Sequence, residues 1–297
     1  MINEAKELII NEDVVAIPTE TVYGLAGSIY SSKAIEKIFK IKERPFFDPL
    51  IVHVSDVQMA KPLTTNWSKT CDELAKVFWP GPLTLVLPKA ESVSDMITSG
   101  LPSVGIRCPN HPVALDLIKS ANTPLAAPSA NKFTKTSPTS KEHVRSEFGD
   151  DVYILDGGQC EIGIESTVIG VFDNEIKIYR PGMISSCEIK EALTDQKIKV
   201  SYQESPVSPG ALKHHYMPKK KVTLLKEASN LSDISTWIVP TNPQIAAREL
   251  YSKLRSMDEE DTKEIHIVLD EDFKSLESFK GILNRLDKAK TFDHYFV

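Results

Sequence analysis

The sequence has few cysteines: Cys71, Cys108, Cys160 and Cys187 stand far apart in 297 residues. With no Cys-x-x-Cys pair and no histidines at matching spacing, no zinc site or disulfide framework is expected, and reduced thiols are the default. No apolar run approaches the roughly 20 residues of a membrane span. The opening stretch, MINEAKELIINED, lacks the basic region and apolar core of a secretory leader. These absences predict a cytoplasmic chain with no membrane contact. Gly-x-x-x-x-Gly-Lys-[Ser/Thr] and Gly-x-Gly-x-x-Gly are both missing. Any nucleotide must therefore be held by something other than a P-loop or a dinucleotide fingerprint. Positive charge is not in excess either: 35 Lys and Arg against 41 Asp and Glu give −6. A dedicated nucleic-acid binder would be strongly basic, which leaves RNA binding as a weak, local property at most.

Glycine is scarce beside proline, 13 against 19, the reverse of average usage. The last 79 residues hold only two of the prolines and one of the glycines, so a turn-rich part precedes a plainer one. At about 150 residues per domain, the length suggests two domains. The pattern divides the chain into 1–200, a Pro- and Lys-bearing linker over 201–221, and a small unit over 222–297.

Ile2, Ala5, Leu8 and Ile9 recur at helical spacing. Ser31 and Ser32 are positioned to cap a helix whose apolar positions are Ala34, Ile35, Ile38 and Phe39. Further helices are expected over 67–78 and 112–120, and Ser185-x-x-Glu188 fits a capping box. Strands are expected over 14–17, 50–54, 83–87, 104–107, 125–127, 152–155, 166–171 and 176–179. Beyond the linker, strands over 222–225, 236–239 and 265–269 alternate with helices over 244–256 and 274–288. Interleaved helices and strands predict α/β layers in both parts.

Three polar clusters stand where strands end. The first is Pro18-Thr19-Glu20-Thr21-Val22-Tyr23-Gly24-Leu25, which on local chemistry serves equally as a hydroxyl-capped turn. The second is Lys42-Glu43-Arg44-Pro45, followed by Asp48-Pro49-Leu50-Ile51-Val52-His53. Cations at a helix C-terminus suit the macrodipole. However, Pro45 disfavours helical geometry at Arg44, so both cations are able to enter a loop and meet phosphate oxygens. The third is Ala127-Pro128-Ser129-Ala130-Asn131, then Ser137-Pro138-Thr139. In an extended chain the Ser129 hydroxyl and Asn131 amide share one side, where they either bind an anion or satisfy a buried turn.

In this order, PTETVYGL, KxRP…PLIVH, PGPLTLVL, GIRCPNHP, APSAN and GIESTVI resemble the YrdC-like family, the L-threonylcarbamoyladenylate synthases. SPGALKHHYMP is similar to the interdomain segment of that family's two-domain form. The likeness continues faintly through Ala247-Arg248-Glu249-Leu250-Tyr251 and Asn284-Arg285-Leu286. The resemblance implies an α/β fold: a YrdC-like twisted mixed sheet with helices around a concave site, plus a small C-terminal α/β, Rossmann-like domain. It implies a nucleotidyltransferase that condenses L-threonine, bicarbonate or CO2, and ATP into threonylcarbamoyl-AMP and pyrophosphate, for threonylcarbamoyladenosine modification of tRNA.

The family's Lys-x-Arg and Ser-x-Asn pairs fall on Lys42, Arg44, Ser129 and Asn131 as catalytic residues. Thr21, His53, Arg107, Ser166 and Thr167 then line the L-threonine side. Ser103, Ser137, Arg180, His215 and Tyr216 hold ATP together with Lys42, Arg44 and Ser129. Mg2+ is implied with the ATP, without a dedicated set of protein ligands, and a downstream tRNA threonylcarbamoyl transferase is implied as the consumer of the product. One position departs from the family, which commonly has Asn where this chain has Asp48. An extra carboxylate beside a triphosphate is unfavourable unless it meets Mg2+ or pairs with Lys42 or Arg44. The linker, with His214, His215, Tyr216 and its lysines, reads either as a lid that shields a water-labile intermediate or as a basic surface connector. Two competing readings of the same fold are an RNA-binding module and the carbamoyl-transfer domain of hydrogenase maturation. The latter system carries zinc-finger cysteine pairs, which are missing here.

Overall fold

The computed structural model describes residues 1–194, 198–203, 215–227 and 233–291. Short aliphatic runs cut by Pro, Gly and Ser yield short strands: β1 (Val15–Ile17), β2 (Gly24–Ser28), β3 (Ile51–His53), β4 (Leu83–Pro88), β5 (Ser103–Arg107), β6 (Leu125–Ala126), β7 (Tyr153–Ile154), β8 (Thr167–Val171), β9 (Glu175–Arg180) and β10 (Lys199–Tyr202). They form one mixed sheet in the order β10-β9-β8-β4-β5-β3-β6-β2-β1-β7. Parallel pairs (β3 with β5, β4 with β8) alternate with antiparallel ones (β4 with β5, β8 with β9). The middle strands are buried along nearly their whole length, which is why they read as continuous apolar runs rather than alternating ones.

Helix ends follow the expected chemistry. Ser31 caps the helix Ser32–Lys42, whose buried face carries Ala34, Ile35, Ile38 and Phe39. Ser185 and Glu188 form a reciprocal capping box. No strand is expected at β2, because GLAGS has neither bulk nor β-branching. Its register against β1, Val15 opposite Ala26, makes it a strand. Gly27 is small there for a reason: a Cβ would lie 3.0 Å from the Ala34 Cβ of the covering helix. The helix Lys141–Phe148 and strand β10 are likewise additions.

A second, three-stranded parallel sheet holds β11 (Lys221–Leu225), β12 (Ile234–Ile238) and β13 (Glu264–Val268), in the order β11-β13-β12. The helices Pro243–Glu259 and Lys280–Ala289 accompany it. The helix expected over 274–288 starts only at Lys280. Two 3-10 turns, Glu271–Ser275 and Glu277–Phe279, precede it, with Leu276 extended between them. The tight turns let Phe273 and Phe279 stack at 4.1 Å, 9° from parallel.

The C-terminal unit shares its core with the rest of the chain. Val22 and Ile164 pack in one apolar cluster with Val222, Trp237, Tyr251 and Leu286. Bare backbone meets bare backbone where the units touch: a Cβ on Gly281 would lie 2.6 Å from the carbonyl oxygen of Gly182. A Cβ on Gly163, which sits at φ +86°, would likewise lie 2.5 Å from the Ala247 carbonyl oxygen. Within the stretch 201–221, residues 204–214 lie outside the described residues, His214 among them. The remainder is anchored at both ends. The Met217 N–H donates to Thr134 O at 2.8 Å. The N–H groups of Lys219 and Lys220 both donate to the Asp258 carboxylate at 2.9 Å.

Gly281→Ala forces the two backbones apart at this seam and is expected to cost about 1–3 kcal/mol, lowering the melting temperature by several degrees. Thermal unfolding checks this, and an unchanged transition would mean that the seam is not close-packed.

Candidate active site

Polar residues at strand ends, and in the turns that follow them, converge on one recess beside the large sheet. Thr19 to Thr21 follow β1, His53 and Arg107 end β3 and β5, Ala127 to Ser129 follow β6, and Arg180 ends β9. Antiparallel pairing brings the start of β8, with Glu165 and Ser166 just before it, to the same place. Together they line a recess, closed on one side by His215 and Tyr216.

Arg107 organises the wall beside β1. Its Nε donates to Gly81 O at 3.2 Å, its Nη1 to Thr21 Oγ1 at 2.9 Å, and its Nη2 lies 2.7 Å from Glu20 Oε1. Thr19 makes the turn: its hydroxyl donates to Val22 O at 2.6 Å and accepts the N–H of Thr21 and of Val22. The turn and the site are therefore one structure, with Thr19 building the bend that presents Thr21. His53 pairs with Arg107 in the β3–β5 register. Burial, reinforced by the Arg107 charge, pushes its imidazole down to about 3, so it stays neutral. Its Nδ1 has no protein partner.

The second cluster wraps around the third. Lys42 ends its helix at a left-handed Glu43 and turns inward. Its ammonium donates to Ser129 O at 2.5 Å and Asn131 O at 2.7 Å. Burial first, and Arg44 second, hold that ammonium well below the usual lysine range. The Asn131 amide donates to Lys132 O and Lys135 O. Lys42 and Asn131 thus shape the loop that carries Ser129, while Arg44 faces the recess itself. Arg44 donates to Asp48 O at 3.1 Å and Pro49 O at 2.8 Å, and lies 3.0 Å from Asp48 Oδ2. Of the two arrangements that make Asp48 tolerable, the pair with Arg44 is the one present. On the far wall, Arg180 donates to Ser166 O at 3.1 Å and Ser166 Oγ at 3.0 Å.

Three other candidates stand off the recess. The Thr167 hydroxyl donates to Ile184 O at 2.9 Å. Ser137 donates to Glu165 Oε1 at 2.6 Å. Ser103 lines a separate recess with Pro49 and Thr98.

Comparison with known proteins matches this arrangement. Residues 7–182 match a family model described as Telomere recombination, and residues 184–291 match one described as Threonylcarbamoyl-AMP synthase, C-terminal domain. The threonylcarbamoyl-AMP synthase of Bacillus subtilis is 36% identical over 97% of this chain and 92% of its own. The chain belongs to the threonylcarbamoyl-AMP synthase family. The crystal structure of Pyrococcus abyssi Sua5 complexed with L-threonine aligns with a TM-score of 0.87, at 33% identity, covering 97% of this chain and 93% of that one. A variant of the same protein, with a histidine and a tyrosine both replaced by alanine, aligns with a TM-score of 0.85, at 32% identity over 99% and 96% of the two chains.

Within this synthase fold, Glu165 is the residue that reading the sequence missed. Among the described residues it is the one carboxylate lining the recess. It stands in the GIES motif, but its partners Tyr251 and Arg285 lie 86 and 120 residues away, and no local spacing exposes them. Tyr216 is buried at φ +63°, a conformation costly for a bulky side chain and tolerated where surrounding contacts enforce it. The His215 ring meets Tyr216 edge-on at 4.2 Å and Phe133 at 6.1 Å.

His53, His143 and His215 are all held low, at about 3, 4 and 3, by burial first. Unfolding restores their ordinary value of about 6.5. The unfolded chain therefore binds more protons between these limits, and stability falls as the pH drops below about 6.5. His53→Gln is expected to weaken that acid dependence, as read by denaturant unfolding at several pH values. An unchanged slope would show that His53 is not buried neutral.

Proposed function

We propose that this recess performs the family reaction, joining L-threonine, bicarbonate or CO2, and ATP into threonylcarbamoyl-AMP with release of pyrophosphate. The observation that carries the reading is the charge of the lining: Arg44, Arg107 and Arg180 converge, buried, on one recess. Such a lining suits a triphosphate, a carboxylate and a carbamate, all anionic. The threonine amine adds to CO2 and releases one N–H proton to solvent, leaving a carbamate whose oxygen attacks the α-phosphorus. The bond from that phosphorus to the bridging oxygen breaks, and pyrophosphate leaves with its electron pair. No protein nucleophile is required, and the nearby thiols are poor ones: burial pushes Cys108 and Cys160 up to about 12. What the protein supplies is orientation and fixed charge where the negative charge gathers.

Neutral His53, with Nδ1 unengaged, and Thr21, fixed by Arg107, are placed to hydrogen-bond the threonine hydroxyl. A site built to satisfy that hydroxyl discriminates strongly against amino acids lacking it. His215 and Tyr216 close the recess from the linker side, so the lid reading of the linker rests on them. Among the described residues, no three His, Cys, Asp or Glu side chains converge on a metal-sized site. A protein cage therefore does not fit, whereas Mg2+ held by ATP phosphates and water needs none. The product is a mixed anhydride that water destroys, so a tRNA threonylcarbamoyl transferase must accept it promptly. Among the described residues no helix is long and apolar enough to cross a membrane.

Pyrophosphate release with each substrate omitted in turn tests the reading; release that ignores threonine would contradict it. Lys42→Ala and Arg44→Ala are each expected to lower adenylate formation at least about tenfold, and near-normal turnover would remove them from the machinery.

A further inference from the structure

We infer that Arg285 and Tyr251 of the C-terminal unit are positioning residues of the active site, acting through the carboxylate of Glu165. The inference rests on the reaction proposed above. Both oxygens of Glu165 are held. Oε1 accepts from Ser137 at 2.6 Å, and Oε2 accepts from Tyr251 Oη and from Arg285 Nε, each at 2.9 Å. Arg285 Nη2 also donates to the Glu165 carbonyl oxygen at 3.0 Å, and Nη1 donates to the carbonyl of Pro181, the residue after Arg180. The same guanidinium lies 5.7 Å from the ring centre of Tyr216. One side chain from the far helix of the C-terminal unit thus binds Glu165 of the recess lining and the residue beside Arg180, and lies over the Tyr216 ring.

Adhesion alone does not explain this. A buried ion pair holds two surfaces together no better than well-packed apolar residues, and often worse. Apolar packing already does that work, through Val22, Ile164, Val222, Tyr251 and Leu286. Charge kept at 0% exposure and spent on a recess residue points to a role in the site. Among the described residues Glu165 is the one carboxylate that lines the recess with the three arginines, so its charge and orientation, beside those of Asp48 and Glu20 behind Arg44 and Arg107, tune the positive potential an incoming anion meets. Burial favours the protonated carboxyl, but Arg285 and then Arg180 outweigh it and hold Glu165 down at about 2.

Glu165 is faced by Arg285 and Tyr251 from the two C-terminal helices, Arg180 from β9, Ser137 from the loop, and His215 and Tyr216 from the linker. The last two stay neutral, held at about 3 and about 12. Removing Arg285 leaves burial less opposed, so Glu165 takes up its proton at a higher pH.

The full-length chain with Arg285→Gln, Arg285→Lys or Tyr251→Phe tests this. Threonine-dependent pyrophosphate release across pH is measured beside thermal unfolding. Arg285→Gln is expected to lose tenfold or more at neutral pH and to develop an acid limb at least one unit above that of the unsubstituted chain. Arg285→Lys restores most of the rate. Tyr251→Phe loses severalfold, with its acid limb moved the same way. Activity falling only in step with lost fold, with the pH profiles superimposed, overturns the inference. Tyr251→Phe and Arg285→Lys decide it if Arg285→Gln fails to fold. Should the unsubstituted chain release no threonine-dependent pyrophosphate, the reaction assignment itself has failed. The thermal shift given by ATP or threonine then decides the inference: variants that keep the full shift overturn it, and variants that lose it support it.

Discussion

The Glu165–Arg285 pair is the contact on which the arrangement of this molecule turns. It joins two units whose sheets share no strand pairing, and it does so at the wall of the recess rather than at the periphery. Its surroundings are fitted to it. Gly182 and Gly281 let the backbones approach until a single methyl group would collide, and Ile164 carries the apolar core from one unit into the other. The C-terminal unit is small for an independent core. Its stability and the shape of the cleft are consequently one problem, solved by the same residues.

A recess for several anions requires cations that are buried yet not cancelled. The structure meets this by giving those cations mostly backbone partners. Arg44 donates to two carbonyl oxygens, and Arg180 to a carbonyl and a hydroxyl. Carbonyl dipoles satisfy the donors without removing the net charge, so positive potential remains for a ligand. Arg44 and Arg107 each carry a carboxylate neighbour as well, Asp48 at 3.0 Å and Glu20 at 2.7 Å. In both pairs the remaining bonds go to backbone carbonyls or to a threonine hydroxyl. That geometry fixes the guanidinium planes before any substrate arrives, which is what a positioning mechanism needs.

Much of this was legible in the sequence because it is local. Pro18, Pro45 and Pro128 stop elements where polar side chains must face a cleft, and Ser31 and Ser185 announce helix starts. The order of the motifs carried the family and hence the fold. What stayed hidden has physical causes. The strand β2 has no bulk to reveal it and exists through its neighbours. The segment before Lys280 reads as helix by periodicity, yet the stacking of Phe273 on Phe279 goes with two tight turns instead. Thr167 sits beside Ser166 in the motif, but the strand's alternation and the Ile184 carbonyl turn its hydroxyl away. Lys42 looks like a phosphate ligand by type, and in the structure its ammonium supports the Ser129 loop. Glu165 was passed over because its meaning comes from Arg285, which only the folded chain brings near.

On the proposed reaction, one recess builds a carbamoylated adenylate from three small molecules. Mass spectrometry of the protein incubated with ATP, L-threonine and isotope-labelled bicarbonate tests it most directly. The expected product is a nucleotide with the mass of threonylcarbamoyl-AMP that carries the label and disappears when threonine is left out. Formation of AMP or ADP alone, with no labelled adenylate that depends on threonine, would contradict it.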